Sequence, residues 1–265
     1  MSTRAPLRER AIELALQAGE AIMQVYALDF EVERKDDDSP ITQADRAAHT
    51  IIVQGLRADD ADTPVLSEES AEVAWEVRRH WRRYWLVDPL DGTREFVKRN
   101  GEFTVNIALI EDGEPTMAVI YAPAIHYLAH ADREAGAFVR DDGRDIAVSS
   151  RRPAPTPPRV AASRSHRDAR TQAVLERIGP CELLGLGSSL KFCRIAEGRA
   201  DLYPRFGPTS EWDTAAGQCI VEAAGGRVLC TDGTPLRYNA TSSLLNPDFL
   251  ALGDPDLPWR DWIAQ

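Results

Sequence analysis

Acidic side chains at the ends of apolar segments suggest a site for a hard cation. In the segment WLVDPLDGT (residues 85–93), Asp88 and Asp91 follow an apolar run that is typical of a buried strand. Glu68 follows a shorter apolar segment, and Asp213 stands where a helical pattern begins. Mg²⁺ prefers oxygen ligands, and two such ions can activate water and stabilise a leaving oxygen. These four acids therefore predict metal-assisted phosphoryl transfer.

Each acidic segment also has a simpler explanation. Asp, Pro and Gly favour tight turns, so WLVDPLDGT is also compatible with a chain reversal that binds nothing. Glu68 suits an exposed position after a strand, and Asp213 suits the first turn of a helix, where the helix dipole favours negative charge. The acidic run 36–38 lacks the alternation and the glycine of a calcium loop, so we expect a solvated loop there.

Composition restricts the class of protein. The chain has 265 residues, of which 43% are hydrophobic and 28% charged, enough for one large domain or two smaller ones. A net charge of -11 opposes general nucleic-acid binding, which depends on cationic side chains that neutralise phosphates. The amino-terminal segment mixes charged and apolar residues, so we expect neither a signal peptide nor a membrane span, and a cytoplasmic protein.

The cysteines do not form a metal-binding pattern. They show no CxxC pair, and no histidine stands at the spacing of a zinc site. We therefore predict that all of them are buried free thiols. The four residues are Cys181, Cys193, Cys219 and Cys230.

Apolar periodicity predicts mixed α and β structure before residue 150. Residues 7–26 form an amphipathic helical pattern, and Thr42 is the predicted N-cap of a second helix. A short strand is expected at 64–67, before the acids Glu68 and Glu69. The runs 103–110 and 117–121 read as a hairpin, and further strands follow to about Val148.

A proline-rich segment, 151–158, is the predicted boundary between two portions of the chain. Prolines favour a stiff, extended connection. The portion 1–152 is predicted to be α+β and to carry most of the acids. The portion 153–265 is predicted to be an α/β layer that carries Asp213. Its predicted strands are 160–163, 182–184 and 200–203, and its predicted helices are 168–178, one from Ser188 or Ser189, and 212–223.

Three motifs together resemble the inositol monophosphatase superfamily of Mg²⁺-dependent, lithium-sensitive phosphatases. They are LSEE (66–69), WLVDPLDGT (85–93) and WDTAAG (212–217). The stretches 96–124 and 200–217 look closer still to the bacterial CysQ-type 3′(2′),5′-bisphosphate nucleotidases. The resemblance covers nearly the whole chain. It implies an α/β fold, an α-β-α-β-α sandwich with the metal site between the two portions.

The same resemblance implies roles for individual residues. Asp45 would pair with Thr93 and, together with Glu68, hold the attacking water, while the amides of Gly92 and Thr93 lie against the scissile phosphate. Two or three Mg²⁺ ions are implied. The implied metal ligands are Glu68, Asp88, the backbone carbonyl of Leu90, Asp91 and Asp213. The implied substrate contacts are Glu68, Leu90, Asp91, Gly92, Thr93, Ser163, His166, Ser188, Lys191, Arg205 and Asp213.

The implied reaction is hydrolysis of adenosine 3′,5′-bisphosphate to AMP and phosphate, in sulfate assimilation or nucleotide recycling. Activity on the sulfated precursor, 3′-phosphoadenylyl sulfate, is left open. Lys191 and Arg205 are expected to hold the phosphate that is not cleaved. The alternatives are a phosphatase for inositol 1-phosphate or fructose 1,6-bisphosphate and, from another class, a non-catalytic metal-dependent binding or regulatory protein.

The segment 75–85 combines tryptophans with arginines. We interpret it as a solvated helix end that precedes a strand. Weak association with the cytoplasmic face of an anionic membrane is left open, as is the oligomeric state. No nucleic-acid partner is expected. The arginines concerned are Arg78, Arg79, Arg82 and Arg83.

Overall fold

Two large β-sheets alternate with three layers of helices in the computed structural model, which describes residues 4–28, 33–34, 40–41, 43–163 and 168–264. The helices within these residues are α1 (Ala5–Tyr26), α2 (Gln43–Asp59), α3 (Trp75–Arg78), α4 (Thr93–Val97), α5 (Ala169–Ile178), α6 (Leu190–Ala196), α7 (Glu211–Ala223) and α8 (Trp259–Ile263). The strands are β1 (Glu33–Arg34), β2 (Pro40–Ile41), β3 (Val65–Ser67), β4 (Arg83–Asp91), β5 (Thr104–Glu111), β6 (Glu114–Ala122), β7 (Tyr127–Asp132), β8 (Gly136–Asp141), β9 (Arg144–Val148), β10 (Arg159–Ser163), β11 (Glu182–Leu186), β12 (Leu202–Arg205), β13 (Arg227–Cys230) and β14 (Phe249–Leu252).

The larger sheet contains seven strands in the order β3-β4-β5-β6-β7-β8-β9. Strands β3 and β4 are parallel, and each later pair is antiparallel. Helices α1 and α2 cover one face, where Ile12 and Ile52 pack in one core with Val87 and Leu109. Burial of this apolar surface is the main force that holds the layer to the sheet.

The smaller sheet contains five strands in the order β11-β10-β12-β14-β13. Helices α6 and α7 lie between the sheets, and Phe192 and Ile220 join a core that includes Leu86 and Ala108 of the larger sheet. Helices α5 and α8 cover the outer face, where Trp259 packs with the strands of the smaller sheet. This layer order confirms the expected α-β-α-β-α sandwich.

The two sheets are divided at the proline-rich segment. Strand β9 ends at Val148 and β10 begins at Arg159, so each sheet is built from one portion of the chain. Arg151 anchors the connection through a bidentate ion pair with the buried Asp201, with two N···O distances of 2.8 Å. The division into two portions remains a proposal, because α7 packs against strands of the larger sheet.

Most predicted elements are present with small shifts of their ends. The first helix begins at Ala5, and the strand expected at 200–203 spans Leu202–Arg205. Thr42, the predicted N-cap, and the acidic run 36–38 lie outside the described residues. The four cysteines are free, but only Cys193 and Cys219 are buried; Cys181 and Cys230 are half-buried.

The interpretation of segment 75–85 as a solvated helix end is wrong for Arg78. Its side chain is buried, stacks on Trp75 with 4.8 Å between the guanidinium carbon and the ring centre, and donates to Asn239 Oδ1 at 2.6 Å. Arg82 lies at the surface and pairs with Asp112 at 2.7 Å. Arg78 is therefore not available to a membrane or a nucleic acid. No described helix combines the length and the apolar character needed to cross a lipid bilayer.

Candidate active site

The first two acids of the site are brought together by parallel pairing. Strand β3 runs beside β4 with Ser67 opposite Val87. The next residues, Glu68 and Asp88, therefore stand side by side at the same edge, and Glu68 begins a short 3₁₀ turn. Asp88 is 1% exposed. A short parallel pair thus places two carboxylates at one point of the sheet.

A β-bulge brings Asp91 to the same face as Asp88. Side chains alternate between faces along a strand, so residues three positions apart normally point in opposite directions. Here Asp88 pairs with Asn106 and Asp91 pairs with Thr104. An interval of three residues on β4 therefore lies opposite an interval of two residues on β5. Leu90 consequently packs in the core under α1 and α2. The extra residue reverses the alternation and turns Asp91 toward the middle layer of helices.

The fourth acid comes from the middle layer of helices. Asp213 lies in the first turn of α7, where its Oδ2 accepts a hydrogen bond of 2.8 Å from the amide of Ser210. A carboxylate in this position satisfies an amide that the helix itself leaves unpaired. The cap fixes the direction of the Asp213 side chain.

A polar strap, residues 239–246, holds the beginning of α7. The buried Glu211 accepts from the amide of Asn239 at 2.9 Å through each of its carboxylate oxygens. Asn246 Nδ2 donates to the carbonyl of Ser210 at 2.6 Å. Burial raises the pKa of Glu211 to about 7, although the Asn239 hydrogen bond and the charge of Arg78 oppose the shift. The strap therefore fixes the position of the first turn of α7, which contains Asp213.

Asp88, Asp91 and Asp213 form a compact cluster of hard oxygen donors. One carboxylate oxygen of each lies within 4.8 Å of those of the other two. Burial, followed by the charges of Glu68, Asp91 and Asp213, raises the pKa of Asp88 well above its usual range. Burial and the charge of Asp91 raise the pKa of Asp213 to about 8. A cation would relieve this repulsion, so the donor set fits a divalent metal ion.

Two further acids lie within electrostatic range of the cluster. The charges of Glu68 and Asp45 both raise the pKa of Asp88. Asp45 is fully buried in the first turn of α2, and Thr93 follows the cluster at the start of α4. Thr93 Oγ1 donates to the carbonyl of Leu90 at 3.4 Å. The structure thus gathers the predicted acids around one end of β4.

Gly92 allows the chain to turn sharply after the cluster. Its φ of 88° lies in the left-handed region, which favours glycine. A Cβ at this position would also lie 3.1 Å from the carbonyl oxygen of Glu102 and 3.3 Å from the Cβ of Ser188. Glycine therefore permits the close approach of the loop that contains Ser188.

The two predicted phosphate-binding cations lie near each other, but both already contact protein carbonyls. Lys191 is 6% exposed, and its ammonium donates to the carbonyls of Leu186 and Ser188. Arg205 donates to the carbonyls of Gly207 and Pro208 at 3.2 and 2.8 Å. Burial, together with the charge of Arg205, lowers the pKa of Lys191 to about 8, although the charge of Asp91 opposes the shift.

The remaining substrate predictions concern Ser188, Ser163 and His166. Ser188 adopts a φ of 40°, and its buried Oγ has no hydrogen-bond partner among the described residues. Ser163 ends β10, and His166 lies outside the described residues. The contact predicted for His166 remains a prediction.

Sequence reasoning missed two buried polar residues that contact the acids. Ser189 Oγ lies 2.9 Å from Asp91 Oδ2, and Asn106 Nδ2 lies 2.9 Å from Ser189 Oγ. Asn106 left a signal in the sequence, because it is a polar residue inside the apolar strand TVNIAL. Most buried amide side chains have a hydrogen-bond partner, so a polar residue at this position indicates a polar contact. Ser189 left no comparable signal.

Comparison with known proteins places this arrangement in a family. The model of the Inositol monophosphatase family matches residues 3–253. The chain belongs to the inositol monophosphatase family. All the acids described above fall within the matched range. The resemblance inferred from the three motifs is thereby confirmed.

Individual relatives of the family agree with this assignment. The chain is 54% identical over 245 residues to the 3′(2′),5′-bisphosphate nucleotidase CysQ of Salmonella typhimurium strain LT2, covering 91% of this chain and 97% of that protein. The crystal structure of CysQ from Bacteroides thetaiotaomicron superposes with a TM-score of 0.80 at 42% identity, over 93% of this chain and 97% of that one. An inositol monophosphatase from Zymomonas mobilis superposes with a TM-score of 0.80 at 26% identity, over 100% of both chains.

Proposed function

We propose that this protein is a Mg²⁺-dependent 3′(2′),5′-bisphosphate nucleotidase that hydrolyses adenosine 3′,5′-bisphosphate to AMP and phosphate. The cluster of Asp88, Asp91 and Asp213, whose oxygens lie within 4.8 Å of one another, is the observation that carries the reaction class. The substrate class follows from the relative named as a 3′(2′),5′-bisphosphate nucleotidase at 54% identity.

In this proposal the acids hold the metal and orient a water molecule. The metal ligands would be Glu68, Asp88, Asp91, Asp213 and the carbonyl of Leu90. When bound, Mg²⁺ neutralises charge on the phosphoryl oxygens and lowers the pKa of water. Two or three Mg²⁺ ions would occupy the site.

The protein's own groups position the reacting atoms. Asp45 and Thr93, with Glu68, accept and direct the protons of the attacking water, so that its oxygen faces phosphorus in line with the leaving ribose oxygen. The amides of Gly92 and Thr93 contact the scissile phosphate. Asp213 lies on the side of the leaving group. Because water is the nucleophile, no covalent phosphoenzyme forms.

Lys191, Arg205 and Ser188 hold the 5′-phosphate in the proposed complex. The Oγ of Ser188 is a buried hydroxyl available to a phosphate oxygen. Arg205 can offer a fork of donors and Lys191 a compact charge, once the ligand replaces some of their carbonyl contacts. Ser163 and His166 complete the proposed substrate contacts near the ribose or the adenine. The partner of the protein is thus a small phosphorylated nucleotide in the cytoplasm.

A phosphate-release panel tests the proposal. Adenosine 3′,5′-bisphosphate, inositol 1-phosphate and fructose 1,6-bisphosphate are each assayed with Mg²⁺ and with excess chelator. We expect the adenosine bisphosphate to be the preferred substrate, with activity lost on chelation. A preference for the inositol or fructose ester would favour the alternative phosphatases. No release from any of them would favour a non-catalytic binding protein.

A further inference from the structure

A buried serine joins two of the acids in the cluster. Ser189 is 1% exposed and immediately precedes α6. Its Oγ lies 2.9 Å from Asp91 Oδ2 and 2.9 Å from the backbone carbonyl oxygen of Asp213. Asp91 belongs to the larger sheet and Asp213 to α7. One hydroxyl therefore contacts the carboxylate of Asp91 from one portion of the chain and the backbone of Asp213 from the other.

Asn106 determines how the serine hydroxyl is oriented. The Asn106 Nδ2 lies 2.9 Å from Ser189 Oγ and 3.5 Å from Asp91 Oδ2. An ionised carboxylate only accepts hydrogen bonds, so the amide must present its nitrogen, and not its oxygen, on this side. Asn106 then donates to the hydroxyl, and the single proton of Ser189 is left for Asp91 or for the carbonyl of Asp213.

The hydrogen bonds from Asn106 to Ser189 and from Ser189 to Asp91 form a relay, and the relay is buried. Asn106 and Ser189 are both 1% exposed, so water does not compete for their hydrogen bonds. Burial raises the pKa of Asp91, and the hydrogen bonds from Ser189 and Asn106 only partly oppose this rise. Partners of this kind fix the direction of a ligand, and their loss typically weakens metal binding about 10- to 100-fold.

We propose that Ser189, oriented by Asn106, is a positioning residue that holds the Asp91 carboxylate in register with Asp213 and so sets the affinity of the site for Mg²⁺. The inference rests on the proposed metal site. It assigns Ser189 a role distinct from that of its neighbour Ser188, which belongs to the proposed phosphate subsite. Ser189 acts through Asp91 and does not itself contact the substrate.

The direct test is Mg²⁺ binding by isothermal titration calorimetry on the full-length Ser189→Ala protein. We expect the dissociation constant to rise about 10- to 100-fold relative to the wild type. The stabilisation of the thermal midpoint by a fixed Mg²⁺ concentration should shrink accordingly. Turnover at saturating Mg²⁺ should fall less than the affinity does, because the ligands themselves remain.

Ser150→Ala is the matched control. Ser150 is also a buried serine, and its Oγ donates to the carbonyl of Ala224 at 3.2 Å, outside the acid cluster. Its loss should lower the thermal midpoint of the metal-free protein without changing the Mg²⁺ dissociation constant. If Ser189→Ala behaves like this control, with reduced stability and unchanged Mg²⁺ affinity, the inference is wrong.

Asn106→Ala tests the relay from the other side and does not depend on the folding of Ser189→Ala. It should also weaken Mg²⁺ binding, and the double variant should lose less affinity than the product of the two single losses, because both residues act on the same carboxylate. Losses that multiply in the double variant would contradict the relay. Absence of Mg²⁺ binding in the wild type would instead overturn the proposed metal site, so the two failures are distinguishable.

Discussion

Lys191→Met should show whether the buried ammonium of Lys191 serves substrate binding or stabilises the fold. Methionine retains most of the length of the side chain but removes the ammonium, which is buried and has a pKa lowered from 10.5 to about 8. Each pKa unit corresponds to roughly 1.4 kcal/mol, so the buried charge costs about 3 kcal/mol at neutral pH. Loss of the hydrogen bonds to the carbonyls of Leu186 and Ser188 costs about 1 kcal/mol each.

These terms predict that the unfolding free energy of Lys191→Met at pH 7 is unchanged or higher by about 1 kcal/mol. Between pH 8 and 10.5 the unfolded chain holds the lysine proton more tightly than the folded chain. The stability of the wild type should therefore rise across this window, and the advantage of the variant should disappear. Denaturant unfolding at pH 7 and pH 10 without Mg²⁺ or nucleotide measures both values.

The same variant should lose activity selectively. Charge-assisted hydrogen bonds to phosphate are worth about 1.5 to 3 kcal/mol, so kcat/KM for adenosine 3′,5′-bisphosphate should fall roughly 10- to 100-fold. Adenosine 2′-monophosphate, which lacks the second phosphate, should be much less affected and is the internal control. Equal losses on both substrates, or a clear loss of stability at pH 7, would refute the assignment of Lys191 to the 5′-phosphate.

Further substitutions test the other parts of the account. Arg205→Lys should recover only part of the bisphosphate activity lost in Arg205→Ala, since a point charge does not reproduce a two-pronged contact; equal kcat/KM in the two variants would contradict this. Asp213→Asn should abolish turnover, because it removes a proposed metal ligand. It should also raise the thermal midpoint of the metal-free protein, because burial and the charge of Asp91 raise the pKa of Asp213 to about 8. Near-normal turnover at high Mg²⁺ would show that Asp213 is not a ligand. Gly217→Ala should lower stability by about 1 to 3 kcal/mol, since its Cβ would lie 2.3 Å from the ring of Phe192; an unchanged midpoint would show that α6 and α7 adjust freely.

The motifs located the acids in the sequence, but the way the chain assembles them is a property of the fold. Glu68 and Asp88 meet because β3 runs parallel to β4, a pairing between segments whose register no local pattern specifies. Asp91 joins them through a bulge, and its only local sign is Pro89, a residue that disfavours a regular ladder. Periodicity located α1, α2 and α5 because each of these helices has an apolar face. Strands β13 and β14 and helix α8 were not predicted.

Long-range polar contacts account for what the sequence did not predict. Arg78 reads as a surface residue because it stands in a basic run, yet its partner Asn239 lies 161 positions away. Ser189 depends in the same way on Asn106, 83 positions earlier. Such pairs satisfy their hydrogen bonds only after the chain has folded, so the sequence does not show which residues become partners.

The most direct test of the central claim is to identify the product of adenosine 3′,5′-bisphosphate hydrolysis. The purified protein is incubated with this nucleotide and Mg²⁺, and the products are separated by chromatography against standards of 5′-AMP and 3′-AMP. The account predicts one equivalent of phosphate and 5′-AMP alone, because the acid cluster cleaves the 3′-ester while Lys191 and Arg205 retain the 5′-phosphate. Release of 3′-AMP, or no turnover of this nucleotide by a protein that binds Mg²⁺, would contradict it.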